Sequence, residues 1–249
     1  MAIEDACWLT IVGVAEDGMA GLSAASRAAL AQAEIIMGAE RHLALLPELA
    51  SERAELRTWP VPFADGVTQL LALRGRKVVA LASGDPFWFG AGSVLTQRLT
   101  LGEWIAFPAL SVFNLAASRL GWALERTLCI GLHAAPFTRL RPHLQLNARL
   151  LVLMRDGAAV GQLAAWLTQQ GFGASNMHVL EALGGERERV RVTMAKDFAF
   201  ADVQHPVTVG LDIAGDGLTL PCSSGLPDSC FEHDGQFTKR PIRALTLSA

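Results

Sequence analysis

The chain has 249 residues, 51% of them hydrophobic, and 21 Lys and Arg stand against 24 Asp and Glu for a formal net charge of -3. That length allows one large domain or two of ordinary size, and the slight acidic balance excludes a general nucleic-acid or anionic-membrane binder. No apolar stretch reaches the roughly 20 residues a membrane helix needs, and Met1-Ala2-Ile3-Glu4-Asp5 lacks the positive region of a secretory signal; a cytoplasmic protein with a small-molecule ligand is expected.

In chain order, Trp8 to Val14 is a first apolar run, followed by a helix that Ser23 can cap and by a strand at Ile35-Ile36-Met37. The next helix ends at Pro47, and "RTWPVPF" reads as an extended connector because of its prolines. A helix over Asp65 to Leu73 then leads into Val78 to Ala82, a short β-branched run after the solvated Arg74-Gly75-Arg76-Lys77, the pattern of a strand buried in a parallel sheet. A short helix in "GAGSVLTQRLT", the strand "WIAF" and a helix after Pro108 complete a first α/β unit.

From about residue 120 a second sheet is predicted. Its strands are "LCIGL", "ARLLVLM", "SNMHVLEAL", "RVRVTMA" and "PVTVGLDI", with a helix over Val160 to Gln170. The fourth alternates at period two, as an antiparallel strand with one wet face would. Beyond it, "AGDGLTLPCSSGLPDSC" has the Gly, Ser and Pro content of a linker, and Thr238 can cap a last, short helix.

Ligands of open α/β sheets bind beyond the carboxyl ends of the strands, which directs attention to the turns there. Ser83-Gly84-Asp85-Pro86 and Pro108-Ala109-Leu110-Ser111 follow two neighbouring strands and together outline a crevice, although ordinary turns draw on the same residue types. In "VGVAEDG" Ala15 stands at the second glycine of a dinucleotide fingerprint, so a nicotinamide-dependent oxidoreductase is disfavoured; Glu16 and Asp17 are either beside a ligand or simply solvated. His133, just after a strand, either titrates in catalysis or satisfies a local carbonyl. Met154 suits the face of a flat ring and equally a core. The alternating charges after Gly184 read as a solvated strand face. The cysteines at 7, 129, 222 and 230 are too dispersed for a zinc pattern, and Cys222, Cys230 and His233 lack a fourth ligand, so no metal is expected.

The order of these pieces resembles a family. "LTIVGVAEDGMAGLSAASRAALAQAEIIMG", "GAERHLALLP", "SGDPFWFG", "PALSVFNLAASRLGW", "LHAAP", "LVLMRDG" and "VLEALGGERERV" are similar, in sequence and spacing, to the S-adenosylmethionine-dependent tetrapyrrole methylases over about residues 8 to 213, and most to their CbiE type. The tail "GLPDSCFEHDGQFTKRPIRALTLS" resembles the opening of the CbiT-like methyltransferase domain that follows in longer members.

The resemblance implies two αβα domains with the cofactor in the cleft between them: residues 1–113, residues 114–213, and 214–249 as linker and start of the further domain. It implies S-adenosyl-L-methionine as cofactor, C5 of a precorrin-6B-type corrinoid of cobalamin biosynthesis as methyl acceptor, and a homodimer. Carried across position by position, the cofactor contacts are Glu16, Ser83, Gly84, Asp85, Trp88, Ser111, Val112, Met154 and Gly184. Asp85 and His133 are the candidates for moving a proton, and Arg139, Arg141 and Arg155 for meeting substrate carboxylates. Ala15 and Ala109 replace usual glycines and Glu16 a frequent proline, departures that fall on the first-loop contacts. A methylase of another tetrapyrrole and a non-catalytic ligand-binding or partner-docking module are the competing expectations.

Overall fold

The computed structural model describes residues 7–47, 54–220 and 225–247. They form two compact units, the first running to Leu124 and including Leu180–Arg189, the second holding Glu125–Val179 and the residues from Val190 onward.

The first unit is built on five strands, β1 (Leu9–Val14), β2 (Ile35–Gly38), β3 (Glu55–Thr58), β4 (Val78–Ser83) and β5 (Trp104–Phe107). They lie in the order β3-β2-β4-β1-β5 with every neighbouring pair parallel. The central runs are continuously apolar because both faces are covered. Alternate residues of one strand feed different cores: Leu9 and Ile11 of β1 join Val78 and Ala80 of β4 on one face, whereas Val12 and Val14 join Val79 and Leu81 on the other.

The crossovers are α1 (Ala24–Gln32), α2 (Glu40–Ala44), α3 (Phe63–Leu71) and α4 (Gly92–Thr96), and α5 (Val112–Leu120) follows β5. Ser23 caps α1 by accepting from the Ser26 N–H at 3.0 Å, and Ser111 caps α5 through the Asn114 N–H at 3.3 Å, each contribution about 1 kcal/mol. The connector expected at "RTWPVPF" contributes its first residues to an edge strand, β3, and its prolines then turn the chain into α3. That helix starts two residues before Asp65 because Pro62, whose φ is preset, occupies its N-cap. The sequence boundary at 113/114 falls inside α5. Phe113, Ala116 and Ala117 of this helix are buried, and Phe113 packs against Trp88 and Phe89, so the first unit continues past it.

The second unit carries β6 (Thr127–Gly131), β7 (Arg149–Leu153), β8 (Asn176–Glu181), β9 (Arg189–Met194) and β10 (Val207–Asp212), in the order β6-β7-β10-β8-β9. β6 and β7 are parallel, and β10, last in sequence, inserts beside β7 as its antiparallel neighbour. The ends of β8 and β9 and the turn between them group with the first unit. The helix α6 (Gly157–Gln169), capped by Asp156 through the Ala159 N–H at 2.8 Å, lays Val160, Leu163, Ala164 and Leu167 on a core shared with Leu140, Phe172 and Val209. Along β9 half-buried and exposed residues alternate, the pattern of a one-sided strand. Residues 214–220, read as linker from composition, are tied down: Ala214 bonds Ser175, Gly217 donates to the Gly171 carbonyl, and the Leu218 and Leu220 carbonyls accept from Arg141 and Gln145. The last helix, α7 (Arg240–Leu247), lies where Thr238 was expected to start one.

Candidate functional site

Three parallel strands of the first unit, β4-β1-β5, end side by side, with Val14 in register with Ser83 and Val12 with Phe107. The chain leaves β1 toward β2 on one side and crosses from β4 to β5 on the other, so the connections diverge at this edge, the place where such sheets open a crevice. Beyond the strands the backbones close up. The Gly84 N–H donates to the Val14 carbonyl at 2.9 Å, and the Ala109 N–H donates to the Gly84 carbonyl at 3.1 Å. This bridge passes over Gly13, where a Cβ would lie 2.0 Å from the Gly84 oxygen and 2.5 Å from the Ala109 nitrogen. Gly84 is left-handed, with φ of 53°, and is pressed against Leu110 and Ser111, so glycine is needed there for both conformation and space. Ala109 is not among the left-handed residues, so its backbone conformation does not call for glycine.

The turn is stiffened from both sides. The Asp85 carboxylate accepts from the Phe87 N–H at 2.8 Å, closing a short side-chain turn. Phe87 packs on Trp104 with ring centroids 5.5 Å apart, and Trp88 and Phe89 meet Phe113 at 4.9 and 6.0 Å. Trp88 nevertheless keeps 36% of its surface exposed, so these rings both brace the turn and offer an apolar wall.

A polar cluster forms where β2 delivers α2 to the tip of β4. The Arg41 guanidinium donates through Nη1 to Glu16 and through Nη2 to Ser83 Oγ and His42 Nε2, both at 2.9 Å. Since a guanidinium only donates, His42 Nε2 must be the acceptor, and its proton resides on Nδ1. That nitrogen is buried and has no hydrogen-bond partner. Burial, with the Arg41 charge second, pushes the His42 pKa down to about 4, so the ring is neutral at neutral pH. Glu16, only 9% exposed in its side chain, also pairs with Arg187 at 3.3 Å. Across the same loop, Glu188 accepts from Arg119 of α5 and from the Gly184 N–H at 2.7 Å, and these bonds hold its pKa below the ordinary carboxylate value.

Of the residues singled out from the sequence, the structure brings Glu16, Ser83, Gly84, Asp85, Trp88, Ser111, Val112 and Gly184 into the first unit. Ser111 is buried as the cap of α5, and Gly184 takes a left-handed φ of 87°. His133 and Met154 belong to the second unit, where they follow the ends of the neighbouring parallel strands β6 and β7. His133 is exposed, whereas Met154 is 4% exposed and packs into the core. Arg139, Arg141 and Arg155 are in the second unit too. Arg141 donates to the Leu218 carbonyl at 2.7 Å and Arg155 pairs with Asp156 at 2.7 Å, so two of the three already serve the protein. Cys222 lies outside the described residues, and among those described no cluster of His, Cys, Asp or Glu is placed to hold a metal. Arg41 and His42, in "GAERHLALLP", join the polar cluster at the tip of β4 without being expected from the sequence; their position just past the end of a parallel strand is the signal that could have found them.

A doubly covered parallel sheet with a glycine-turned crevice at its strand tips, joined in one chain to a mixed five-stranded sheet, is an α/β framework that offers a small-molecule crevice at its strand ends. The chain belongs to the Tetrapyrrole (Corrin/Porphyrin) Methylases, whose family model matches residues 9–199. It is 45% identical over 245 residues, 97% of its length, to a precorrin-6Y C(5,15)-methyltransferase [decarboxylating] of Sinorhizobium sp, and spans 59% of that relative. A shorter relative, the cobalt-precorrin-7 C(5)-methyltransferase of Salmonella typhimurium, is 27% identical over 73% of this chain and 88% of its own. The fold is shared with a uroporphyrin-III C-methyl transferase of Thermus thermophilus complexed with S-adenyl homocysteine, at a TM-score of 0.62 and 22% identity over 82% of this chain and 96% of that one.

Proposed function

We propose that this chain transfers a methyl group from S-adenosyl-L-methionine to C5 of a precorrin-6B-type corrinoid, a step of cobalamin biosynthesis. The observation that carries the reading is the welded tip of β4-β1-β5, where a left-handed Gly84 and the Asp85 turn stand at the crevice of a tetrapyrrole methylase. C5 is the position named in both the longer and the shorter relative, and the shorter one is nearly spanned by this chain. The chain covers about three fifths of the longer relative, and the C5 reaction is the one assigned to it here.

The residues present suit the cofactor. Close backbone approach at Gly13 and Gly84, polar atoms at the exposed Ser83 and the half-buried Asp85, and the aromatic wall of Trp88 together make a rigid cradle with few charges of its own. Ser83, Gly84 and Asp85 would hold it, with Glu16, Ser111, Val112 and Gly184 around them. The cofactor supplies an electrophilic sulfonium methyl. What the protein must add is orientation, which for a well-aligned pair is worth on the order of 7 to 11 kcal/mol. Of the two candidates for accepting the proton released from C5, Asp85 has one carboxylate oxygen on the Phe87 N–H, leaving the other available. The family resemblance behind this reading extends to a homodimer at work in the cytoplasm; among the described residues no helix is long and apolar enough to cross a membrane.

The test is methyl transfer from isotopically labelled S-adenosylmethionine to precorrin-6B, followed by locating the new methyl on the ring. Label at C5 is the expected result. Binding of S-adenosylhomocysteine without any transfer would favour a non-catalytic module, and label on another carbon would assign a different tetrapyrrole step.

A further inference from the structure

Three of the segments proposed to surround the cofactor come from distant parts of the chain: the first loop at Glu16, the start of α5 at Ser111 and Val112, and Gly184. Something must hold them in register. Gly184 lies in the turn 182–188 between β8 and β9, which groups with the first unit. Ala182 and Gly184 both take left-handed backbone there, with φ of 44° and 87°. A left-handed alanine persists only where its surroundings over-determine it.

The Glu188 side chain supplies much of that determination. Its Oε2 accepts from the Gly184 N–H at 2.7 Å and from Arg119 Nη2 at 2.9 Å, while Oε1 accepts from Arg119 Nε at 2.5 Å. The guanidinium thus forks onto both oxygens, the arrangement that best fixes the direction of a carboxylate. Because a peptide is planar, holding the Gly184 N–H sets the orientation of the whole Leu183-Gly184 unit.

Arg119 stands in the last turn of α5, the helix that Ser111 caps and Val112 begins. From the same helix Leu115 backs Gly184, where a Cβ would lie 3.4 Å from the Leu115 Cδ1. On the other flank a Cβ on Gly185 would lie 2.8 Å from the Cβ and the carbonyl oxygen of Glu16, and Arg187 pairs with the Glu16 carboxylate at 3.3 Å. The turn is therefore wedged between α5 and the first loop, with the Glu188 fork fastening it to the helix.

We infer that Glu188, aimed by Arg119, is a positioning residue for the cofactor: it locks Gly184 to the helix that carries Ser111 and Val112, so that these contacts are presented together before the cofactor arrives. Neither Glu188 nor Arg119 needs to touch the cofactor. The inference rests on the proposed methyltransferase reading, and the benefit falls on affinity, since a turn already ordered does not have to be ordered on binding.

Calorimetry of S-adenosylhomocysteine on the whole chain tests it, beside methyl transfer from labelled S-adenosylmethionine to precorrin-6B. Glu188→Ala and Arg119→Met should each weaken S-adenosylhomocysteine by about 10-fold, and raise the KM for S-adenosylmethionine more than they lower kcat. Glu188→Gln keeps an oxygen for the Gly184 N–H but turns an NH2 toward the guanidinium, so it should recover part of the affinity. In the parent the Gly184 amide should exchange slowly with solvent, and that protection should be lost in Glu188→Ala. Should Glu188→Ala not fold, Glu188→Gln and Arg119→Lys carry the same comparison at smaller amplitude. Variants that lose thermal stability yet keep the parent's affinity and KM would make the pair merely structural and overturn the inference, as would fast exchange at Gly184 in the parent. A parent chain that binds no S-adenosylhomocysteine overturns instead the methyltransferase reading beneath it.

Discussion

The buried His42 makes a quantitative demand on the pH dependence of the first unit. It is 5% exposed, and burial together with the adjacent Arg41 lowers its pKa from 6.5 to about 4. In the unfolded chain the imidazole takes up a proton as pH falls through 6.5, whereas in the folded chain it stays neutral until about pH 4. Within that window the unfolded state binds more protons, so stability is full above pH 6.5 and is lost as pH decreases, by about 1.4 kcal/mol per unit. Between about pH 7.5 and about pH 5 the loss from this one residue is roughly 2 kcal/mol. Urea unfolding at the two pH values, followed by tryptophan emission, reads the right unit, because Trp8, Trp59, Trp88, Trp104 and Trp122 all fall in it. In His42→Gln every other titrating group remains, so the pH-dependent loss should shrink by about 2 kcal/mol relative to the parent. An NMR titration supplies a second readout: the His42 ring should show no midpoint above about pH 5. An unchanged pH slope in the variant, or a His42 midpoint near the free value, would refute the burial argument and with it the tautomer assigned from Arg41.

Two further substitutions probe the strand tips. Gly13→Ala places a methyl against backbone atoms of Gly84 and Ala109, neither of which can rotate away. Overpacking of this kind costs about 3 kcal/mol, so thermal unfolding of the first unit should fall by roughly 10 °C, and a change under about 2 °C would mean the bridge over β1 is loose. Asp85→Ala removes the acceptor for the Phe87 N–H and should cost about 1 kcal/mol while weakening S-adenosylhomocysteine in calorimetry. Asp85→Asn keeps that acceptor and should recover the stability; recovery of the affinity as well would show that the carboxylate's charge plays no part in binding.

Much of this protein is legible along the chain because the signals are local. An apolar run with no polar alternation, as at Val78 to Ala82, means a strand covered on both faces, and the structure divides its side chains between two cores. Ser23 and Ser111 announce helix starts through hydroxyls that reach only their own first turn. The Gly84-Asp85-Pro86 turn is likewise readable, since left-handed backbone and a two-residue side-chain cap are properties of neighbouring positions.

What periodicity does not encode is which distant segments meet. That β1 lies between β4 and β5, and that β10 inserts beside β7, depends on long-range pairing that any strand of suitable pattern would satisfy. The same holds for the charges. Glu16, a solvated turn acid by its local context, is buried because Arg41 and Arg187 arrive from segments 25 and 171 residues away. His42 has the sequence of an ordinary helix residue, and only the juxtaposition of β2 and β4 sets it against Ser83. Sequence by itself thus settled the buried strands, the Ser23-capped start of α1 and the turn at the crevice, because each is fixed by contacts within a few residues. The tertiary structure alone decided the electrostatics around that turn, because charge at a point is summed over whatever the fold brings there.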